Sequence, residues 1–438
     1  MDFDENEKSL SLLRKIKEMP SGTVELLSRG VREIAREAGI QAAYNLLLRA
    51  EVAIGRRRPT LGLYDHAFHL IGGAQKYGLT LAAALLDRFE TTIISNKEVT
   101  ADDFRSWYNL DLSSCRFKLI RIPFYEERGT VFLDPALVTA KMANPFHPVS
   151  KESGAYDIFV NNSMNEMVFP LSNISALICH FPERRPKTYF YADQYTAVIY
   201  NSRYTAEWVG KRWKFVPHEH IYPPVDPAEK QDASLKKKII LSVARFEPEG
   251  TKRQREMIGA FLKLSEIYPA AVKDWTFILA GGSEPQNRYL EELRKMAQSS
   301  PLRNVELRVN IPAAELASLY EEASIFWHLC GVVQNDPSEV EHFGMTTVEA
   351  MQRQAVPVVY DGGGLGEIVD DGVNGYLVRT RAELLERTFR LFRQPELRLK
   401  LGQAAAEKAR VFSRAHFEVR VRAFFDRLLE TYRDPEST

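Results

Sequence analysis

Between Thr60 and Val378 the chain repeats one unit: a short run of β-branched, aliphatic and aromatic residues, a turn, then a helical stretch. The intervening helix is the crossover that parallel strand pairing requires. The expected fold class is therefore α/β, with parallel sheets covered on both faces. The first series of strand candidates is Thr60–Tyr64, Thr91–Ser95, Phe117–Ile122, Asp157–Asn161, Ala176–Cys179 and Ala197–Tyr200. After Gly72-Gly73 the stretch AQKYGLTLAAALLDRF reads as a helix. The second series is Lys238–Ser242, Trp275–Ala280, Asn304–Val309, Ser324–Trp327, Val356–Tyr360 and Gly375–Val378. Helices over 253–268, 286–299, 313–322, 345–354 and 381–393 separate these strands.

The two series flank residues 217–237, PHEHIYPPVDPAEKQDASLKK, which have the proline and charge density of a linker. Two similar domains with a cleft between them follow, and ligands of such sheets bind outside the carboxyl ends of the strands. A chain of 438 residues has room for both. Upstream, Leu10, Leu13, Ile16, Val24, Leu27, Val31 and Ile34 recur at helical spacing around a break at Pro20-Ser21-Gly22. The expected organisation is a helical extension over 1–58, one α/β domain over 59–230 and a second over 231–413. The last segment, 414–438, is a helix packing back on the N-terminal domain.

Lysine plus arginine equals aspartate plus glutamate, 58 of each, so no basic excess points to nucleic acid. Three scattered cysteines with no CxxC argue against a disulfide framework and a structural zinc site and suit a reducing compartment. The start, MDFDENEKSLS, is not a secretory signal, and no apolar run approaches the ~20 residues of a membrane span. The expected location is cytoplasmic. Arg14, Lys15, Lys17, Arg29, Arg32, Arg36 and Arg56-Arg57-Arg58 give the extension basic faces. These either pack on the next domain or touch a membrane surface peripherally.

Four segments carry candidate chemistry. In Glu341-His-Phe-Gly-Met-Thr-Thr-Val-Glu349 two carboxylates stand eight positions apart, across a turn that opens a helix at Gly344–Met345. A helix N-terminus suits phosphate, and a carboxylate on its first turn either receives ribose hydroxyls or simply caps the helix. In Ser242-Val-Ala-Arg245-Phe-Glu-Pro-Glu-Gly-Thr-Lys252 two cations follow a strand, where they can offset charge on a departing diphosphate. Gly72-Gly73 opens a helix after the first strand without forming a GxGxxG or GxxxxGK[ST] signature, so nothing supports a nicotinamide cofactor. His180, in Cys179-His180-Phe181-Pro182, stands at a strand's end. A further group, Trp327-His328 with Asp336, Glu339 and Glu341, lacks tight metal-ligand spacing.

Taken together, EHFGMTTVEAM, SVARF…K, GGAQ, CHFPE and IYNSRYTAEWVGKRW…IYPPVD resemble glycosyltransferase family 4, over about residues 60–432. The resemblance implies the GT-B architecture, two Rossmann-like domains facing across a cleft, with 59–230 the acceptor-side domain and 231–413 the nucleotide-sugar-binding domain, and retaining transfer from a nucleotide-sugar. It implies that Arg245 and Lys252 hold the donor diphosphate, with Arg253 an alternative to the lysine. Glu349 would bind ribose and Glu341 would lie close to the transferred sugar. Phe343, Gly344, Met345 and Thr346 would form the turn that meets sugar hydroxyls and phosphate. Gly73 would lie near the phosphates, Gly363 and Gly364 would form a second glycine loop, and His180 would be a cleft residue. Gln354-Ala355, where relatives often carry Ala-Gly, departs from the pattern without consequence for chemistry. The only Asp-x-Asp is Asp2-Phe3-Asp4, so metal-free transfer is expected, with no cofactor besides the nucleotide-sugar substrate. The function implied is a hexosyltransferase moving mannose from GDP-mannose to a growing glycan or lipid-linked saccharide. A UDP-hexose donor, a sugar-phosphate synthase and an inactive sugar-binding scaffold are the alternatives.

Overall fold

A computed structural model describes residues 52, 57–129, 137–139, 141–184, 189–226, 235–332 and 336–433. All of the expected helical extension except Val52, Arg57 and Arg58 lies outside the described residues, and with it the question of a basic membrane-facing surface. Arg57 and Arg58 themselves have structural partners. Arg57 grips the buried Asp157 with two 2.6 Å hydrogen bonds, and Arg58 donates to the Leu86 carbonyl at 2.6 Å.

The chain forms two compact units. The first holds β1 (Thr60–Tyr64), β2 (Glu90–Ser95), β3 (Arg116–Leu119), β4 (Ile158–Asn161), β5 (Ile174–Cys179), β6 (Ala197–Tyr200) and β7 (Glu219–His220). Its sheet runs β3-β2-β1-β4-β5-β6-β7, and every pairing is parallel. Strands β4 and β5 are buried at every residue, as expected of a sheet covered on both faces. Tyr64, Phe146, Phe159, Leu177, Val198 and Trp213 belong to one core of this unit.

The second unit holds β8 (Lys237–Val243), β9 (Thr276–Gly281), β10 (Val305–Val309), β11 (Ala323–His328), β12 (Val356–Tyr360) and β13 (Tyr376–Val378). Its order, β10-β9-β8-β11-β12-β13, repeats the first, again in parallel. Period-two alternation divides its strands between two cores. Ile240 and Phe277 point into one, and Ile239, Leu241 and Ile278 into the other. Both units are thus Rossmann-like. In each, the order reverses beside the first strand, between β1 and β4 and between β8 and β11, and this is where ligands of such sheets bind.

Several boundaries differ from the sequence reading. The helix after Gly72 ends at Ala84, and Arg88 and Phe89 turn back toward β2. The strand expected to reach Ile122 stops at Leu119, because Pro123, which has no N–H, starts a helical turn capped by Ile122. Residues 217–226 are not a free linker. β7 extends the first sheet, and Val225 pairs with Ser413 while buried among Phe343, Val348 and Phe412. The division between units accordingly falls at Ile221/Tyr222. Helix Pro395–Ala409, unmarked by strong periodicity, packs Gly402 close to the Gln354 carbonyl. Gln354 itself takes a left-handed φ of 62°, a conformation glycine would adopt without strain.

Helix Arg414–Arg433 begins in the second unit, and from Glu418 onward belongs to the first. There Phe425 is fully buried edge-on against Phe89, with ring centroids 6.1 Å apart. Arg422 pairs with Asp87 at 2.8 Å, and Arg427 with Glu219 at 2.6 Å. Phe425→Ala should cost about 3–5 kcal/mol, seen as a lower urea midpoint of the full chain. Val419→Ala, on the exposed face of the same helix, should change stability by less than about 0.5 kcal/mol. Equal effects would show that the helix is not anchored through Phe425.

Candidate active site

The second unit builds its site where β8 and β11 end. β8 leads into Ala244 and Arg245, and a side chain on Gly281 would overlap the Ala244 carbonyl, so the exit loop lies directly on the end of β9. The loop then folds on itself. Gly250, at φ 68°, donates its N–H to the Glu247 carbonyl at 2.9 Å, and Thr251 donates its hydroxyl to the Glu247 carboxylate. Buried Gln254 holds the Arg245 carbonyl at 2.9 Å.

This geometry delivers Lys252 to Glu341. The ammonium lies 3.3 Å from Glu341 Oε2 and 3.9 Å from Cys330 Sγ. His328, the last residue of β11, brings Nε2 to 3.0 Å from the same Glu341 oxygen. Lys252 and Glu341 keep only 24% and 20% of their side-chain surface, so their attraction is little screened. Burial alone would push the Glu341 carboxyl up. The Lys252 charge and the His328 hydrogen bond outweigh it and hold the carboxyl well below the usual range. The carboxylate raises the Lys252 ammonium in turn, against burial. Burial pushes the Cys330 thiol up to about 12, despite the lysine, so it stays protonated. Burial also lowers His342 to about 4, leaving its ring neutral at pH 7.

The turn carrying Glu341 is clamped by glycines. Gly364 donates its N–H to the Glu341 carbonyl at 2.8 Å. Side chains on Gly363, at φ 62°, or on Gly364 would overlap the carbonyls of Glu341 and His342. Gly344, at φ 106°, precedes helix Met345–Gln352, whose N-terminus has no side-chain cap. Met345 and Thr346 open that helix half-buried, while the Phe343 ring packs against Tyr222 and Phe412.

Not every expected residue joins this cluster. Arg245 keeps 71% of its side-chain surface and pairs with Glu247 at 2.8 Å. Arg253 pairs with Glu256 at 3.2 Å, which leaves Lys252 as the cation on Glu341. Glu349 accepts a 2.7 Å hydrogen bond from Tyr320. Burial, then the neighbouring carboxylate, keeps that phenol protonated well above its ordinary range. In the first unit, Gly73 is the first residue of helix Gly73–Ala84, whose cap Gly72 donates its N–H to Tyr108 Oη at 2.8 Å. There His180 follows β5 with Nε2 3.2 Å from Asn162 Oδ1.

The sequence reading attached no donor-site role to His328, Cys330 or Tyr320. The first had one visible signal, its place at a strand's carboxyl end. Ligand atoms of His328, Cys330 and Glu341 lie within 4.8 Å of one another. A metal ion there would meet the Lys252 ammonium, which already approaches two of the three. The cluster therefore reads as a lysine cradle.

Comparison with known proteins decides the class of this unit. Residues 226–408 match the family model of glycosyl transferases group 1. The chain carries a glycosyl transferases group 1 domain. The whole cluster of Lys252, His328, Cys330 and Glu341 lies inside this domain. Over 238 residues the chain is 28% identical to human GDP-Man:Man(3)GlcNAc(2)-PP-Dol alpha-1,2-mannosyltransferase, covering 51% of this chain and 46% of that protein. It is 27% identical over 211 residues to the alpha-1,3/1,6-mannosyltransferase alg2 of Schizosaccharomyces pombe, covering 41% and 40%. The chain thus spans about half the length of these curated relatives or less. Beyond the group 1 domain, the two-unit fold is shared with Anabaena HepE, solved with UDP and glucose, at TM-score 0.65 and 16% identity, covering 84% of this chain and 100% of that one. Sucrose-phosphate synthase from Thermosynechococcus elongatus gives 0.60 and 17%, covering 86% and 100%. These likenesses concern the fold alone, that of the GT-B architecture.

The Lys252–Glu341 pair makes an acid-side prediction. A carboxyl held below its ordinary value binds fewer protons in the folded chain than in the unfolded one. Its stabilisation is present above about pH 4.5 and fades as pH falls below that. Lys252→Met removes the main attraction. The melting-temperature gap between wild type and variant should be widest near pH 7 and narrow toward about pH 4. A gap independent of pH would show that the pair contributes no net charge stabilisation.

Proposed function

We propose that the chain is a retaining, metal-independent hexosyltransferase that moves mannose from GDP-mannose to a growing glycan or lipid-linked saccharide. The reading rests first on one observation, the half-buried Lys252–Glu341–His328 cluster at the switch point of a group 1 domain. The names of the two mannosyltransferase relatives support the sugar, and the first of them the base.

In this reading the bond between the sugar C1 and the donor diphosphate breaks as a bond forms from C1 to an acceptor oxygen on the same face. The acceptor's proton passes to the departing phosphate. Lys252 and the exposed Arg245 guanidinium offset the charge that grows on the diphosphate. The uncapped N-terminus of helix Met345–Gln352 adds N–H donors and a positive dipole end. The backbone of Phe343–Thr346 and the glycine loop at Gly363 and Gly364 shape the sugar side. Glu341, kept ionised by its two partners, accepts hydrogen bonds from sugar hydroxyls. Glu349 accepts from ribose hydroxyls once Tyr320 yields or shares it. Gly73 meets the phosphates and His180 the sugar from their own unit. The lysine ammonium takes the place that a metal ion holds in metal-dependent transferases. Among the described residues no helix is long and apolar enough to cross a membrane. Contact with the cytoplasmic membrane face through the basic residues of 1–58 belongs to the same proposal.

A thermal-shift panel of GDP, UDP, ADP and their sugar conjugates, with and without EDTA, tests the donor. A nucleotide at 100 times its dissociation constant should stabilise the chain by about 2.7 kcal/mol. GDP and GDP-mannose should raise the melting temperature, equally with EDTA. A response to UDP alone would replace the base, and a shift abolished by EDTA would refute metal independence. Lys252→Ala and Glu349→Ala should each lower turnover at least tenfold, about 1.4 kcal/mol, with the fold retained. Unchanged turnover in both would overturn the site.

A further inference from the structure

The first unit has its own polar network at its switch point, and its hydrogen bonds can be assigned one by one. Asp65 is the residue after β1, Asn162 the residue after β4 and His180 the residue after β5. Asp65 and Asn162 are almost wholly buried. Asn162 Nδ2 lies 2.5 Å from Asp65 Oδ2 and 3.0 Å from the Ala74 carbonyl oxygen. A backbone carbonyl can only accept, so the nitrogen of the Asn162 amide must face this side. The Asn162 carbonyl oxygen, Oδ1, therefore faces His180. It too can only accept, so His180 Nε2, 3.2 Å away, must carry a proton.

The surroundings hold each member in place. Asp65 also accepts from the Ala67 N–H at 2.8 Å and from Gln75 Nε2 at 3.3 Å. The Asn162 N–H bonds the Tyr64 carbonyl at 2.8 Å. Gly78, inside helix Gly73–Ala84, leaves the space the amide fills: a side chain there would come within 2.7 Å of Asn162 Cγ. Tyr77 stands edge-on to the His180 ring at 5.4 Å, and its hydroxyl is tied to the Ile221 carbonyl at 3.0 Å.

We propose that Asp65 and Asn162 form a fixed relay that sets His180 as its Nε2–H tautomer. Asn162 is then a positioning residue that holds the ring's Nε2 as a hydrogen-bond donor. The role in transfer rests on the reading of His180 given above. The relay itself does not. A neutral ring with its proton on Nδ1 would place two lone pairs against each other at Asn162. The tautomer thus decides which partner the ring selects. Among the residues of this network only His180 stands where the strand end gives way to the charged segment His180-Phe-Pro-Glu-Arg184.

Nitrogen-15 spectra of the histidine rings in the full chain test the relay, with His180→Gln assigning the signal. At pH 8 the wild-type His180 ring should be neutral and protonated on Nε2. Asn162→Leu, which keeps the volume and removes the hydrogen bonds, should shift the ring toward a mixture of tautomers. Gly78→Ala presses on the same amide without leaving a buried carboxylate short of a donor, and should do likewise if Asn162→Leu fails to fold. In turnover, both variants should lower kcat roughly tenfold while donor KM stays within about twofold. A wild-type ring protonated on Nδ1, or a ring unaltered in both variants, would overturn the proposal. If wild type transfers no sugar at all, the transfer reading fails, and the ring spectrum still decides the relay.

Discussion

Parallel strands cannot be joined by a tight turn. Each connection must cross the sheet, and the helix that crosses it returns the chain to the same starting edge. Every strand of a unit therefore ends at one edge, and the loops that leave those ends gather there. This constraint organises both units. Each repeats the order in which the first strand lies inside the sheet, so the chain departs from it in opposite directions. The gap opened by those departures holds Lys252, His328 and Glu341 in one unit and Asp65, Asn162 and His180 in the other.

Within the group 1 domain the consequence is electrostatic. Glu341 is largely removed from water, which by itself favours its neutral form. A lysine and a histidine on one carboxylate oxygen reverse that balance. Holding the charge requires the turn to stay fixed, and the turn is fixed from behind by Gly363 and Gly364. No other residue fits so close to the Glu341 and His342 carbonyls. A partly buried carboxylate, two glycines from the loop after β12 and a lysine from an earlier loop thus form one mechanical unit.

Much of this was legible from local pattern. The strand runs alternate with helices because both faces of a parallel sheet need covering, and the two carboxylates of EHFGMTTVE mark their helix by spacing. Other features were not legible. Lys252 and Arg253 are adjacent cations, and only the loop's path shows that the first meets Glu341 and the second meets Glu256. Residues 217–226 read as a linker from their prolines and charges, yet Val225 is a core residue because Phe343 and Phe412 are there to cover it. Helix Pro395–Ala409 escaped notice because its buried side is mostly small residues, Gly402, Ala405, Ala406 and Ala409, which carry little hydrophobic signal.

The sequence by itself determined the fold class, the two-unit order and the strand ends at which chemistry would collect, since periodicity and turn chemistry are properties of neighbours along the chain. Tertiary structure alone decided which of those ends meet. The partners of Glu341 come from positions 252 and 328, and those of Asn162 from positions 65, 74 and 180. A charge state or a tautomer depends on atoms a few ångströms away in space, and no pattern along the chain records that distance.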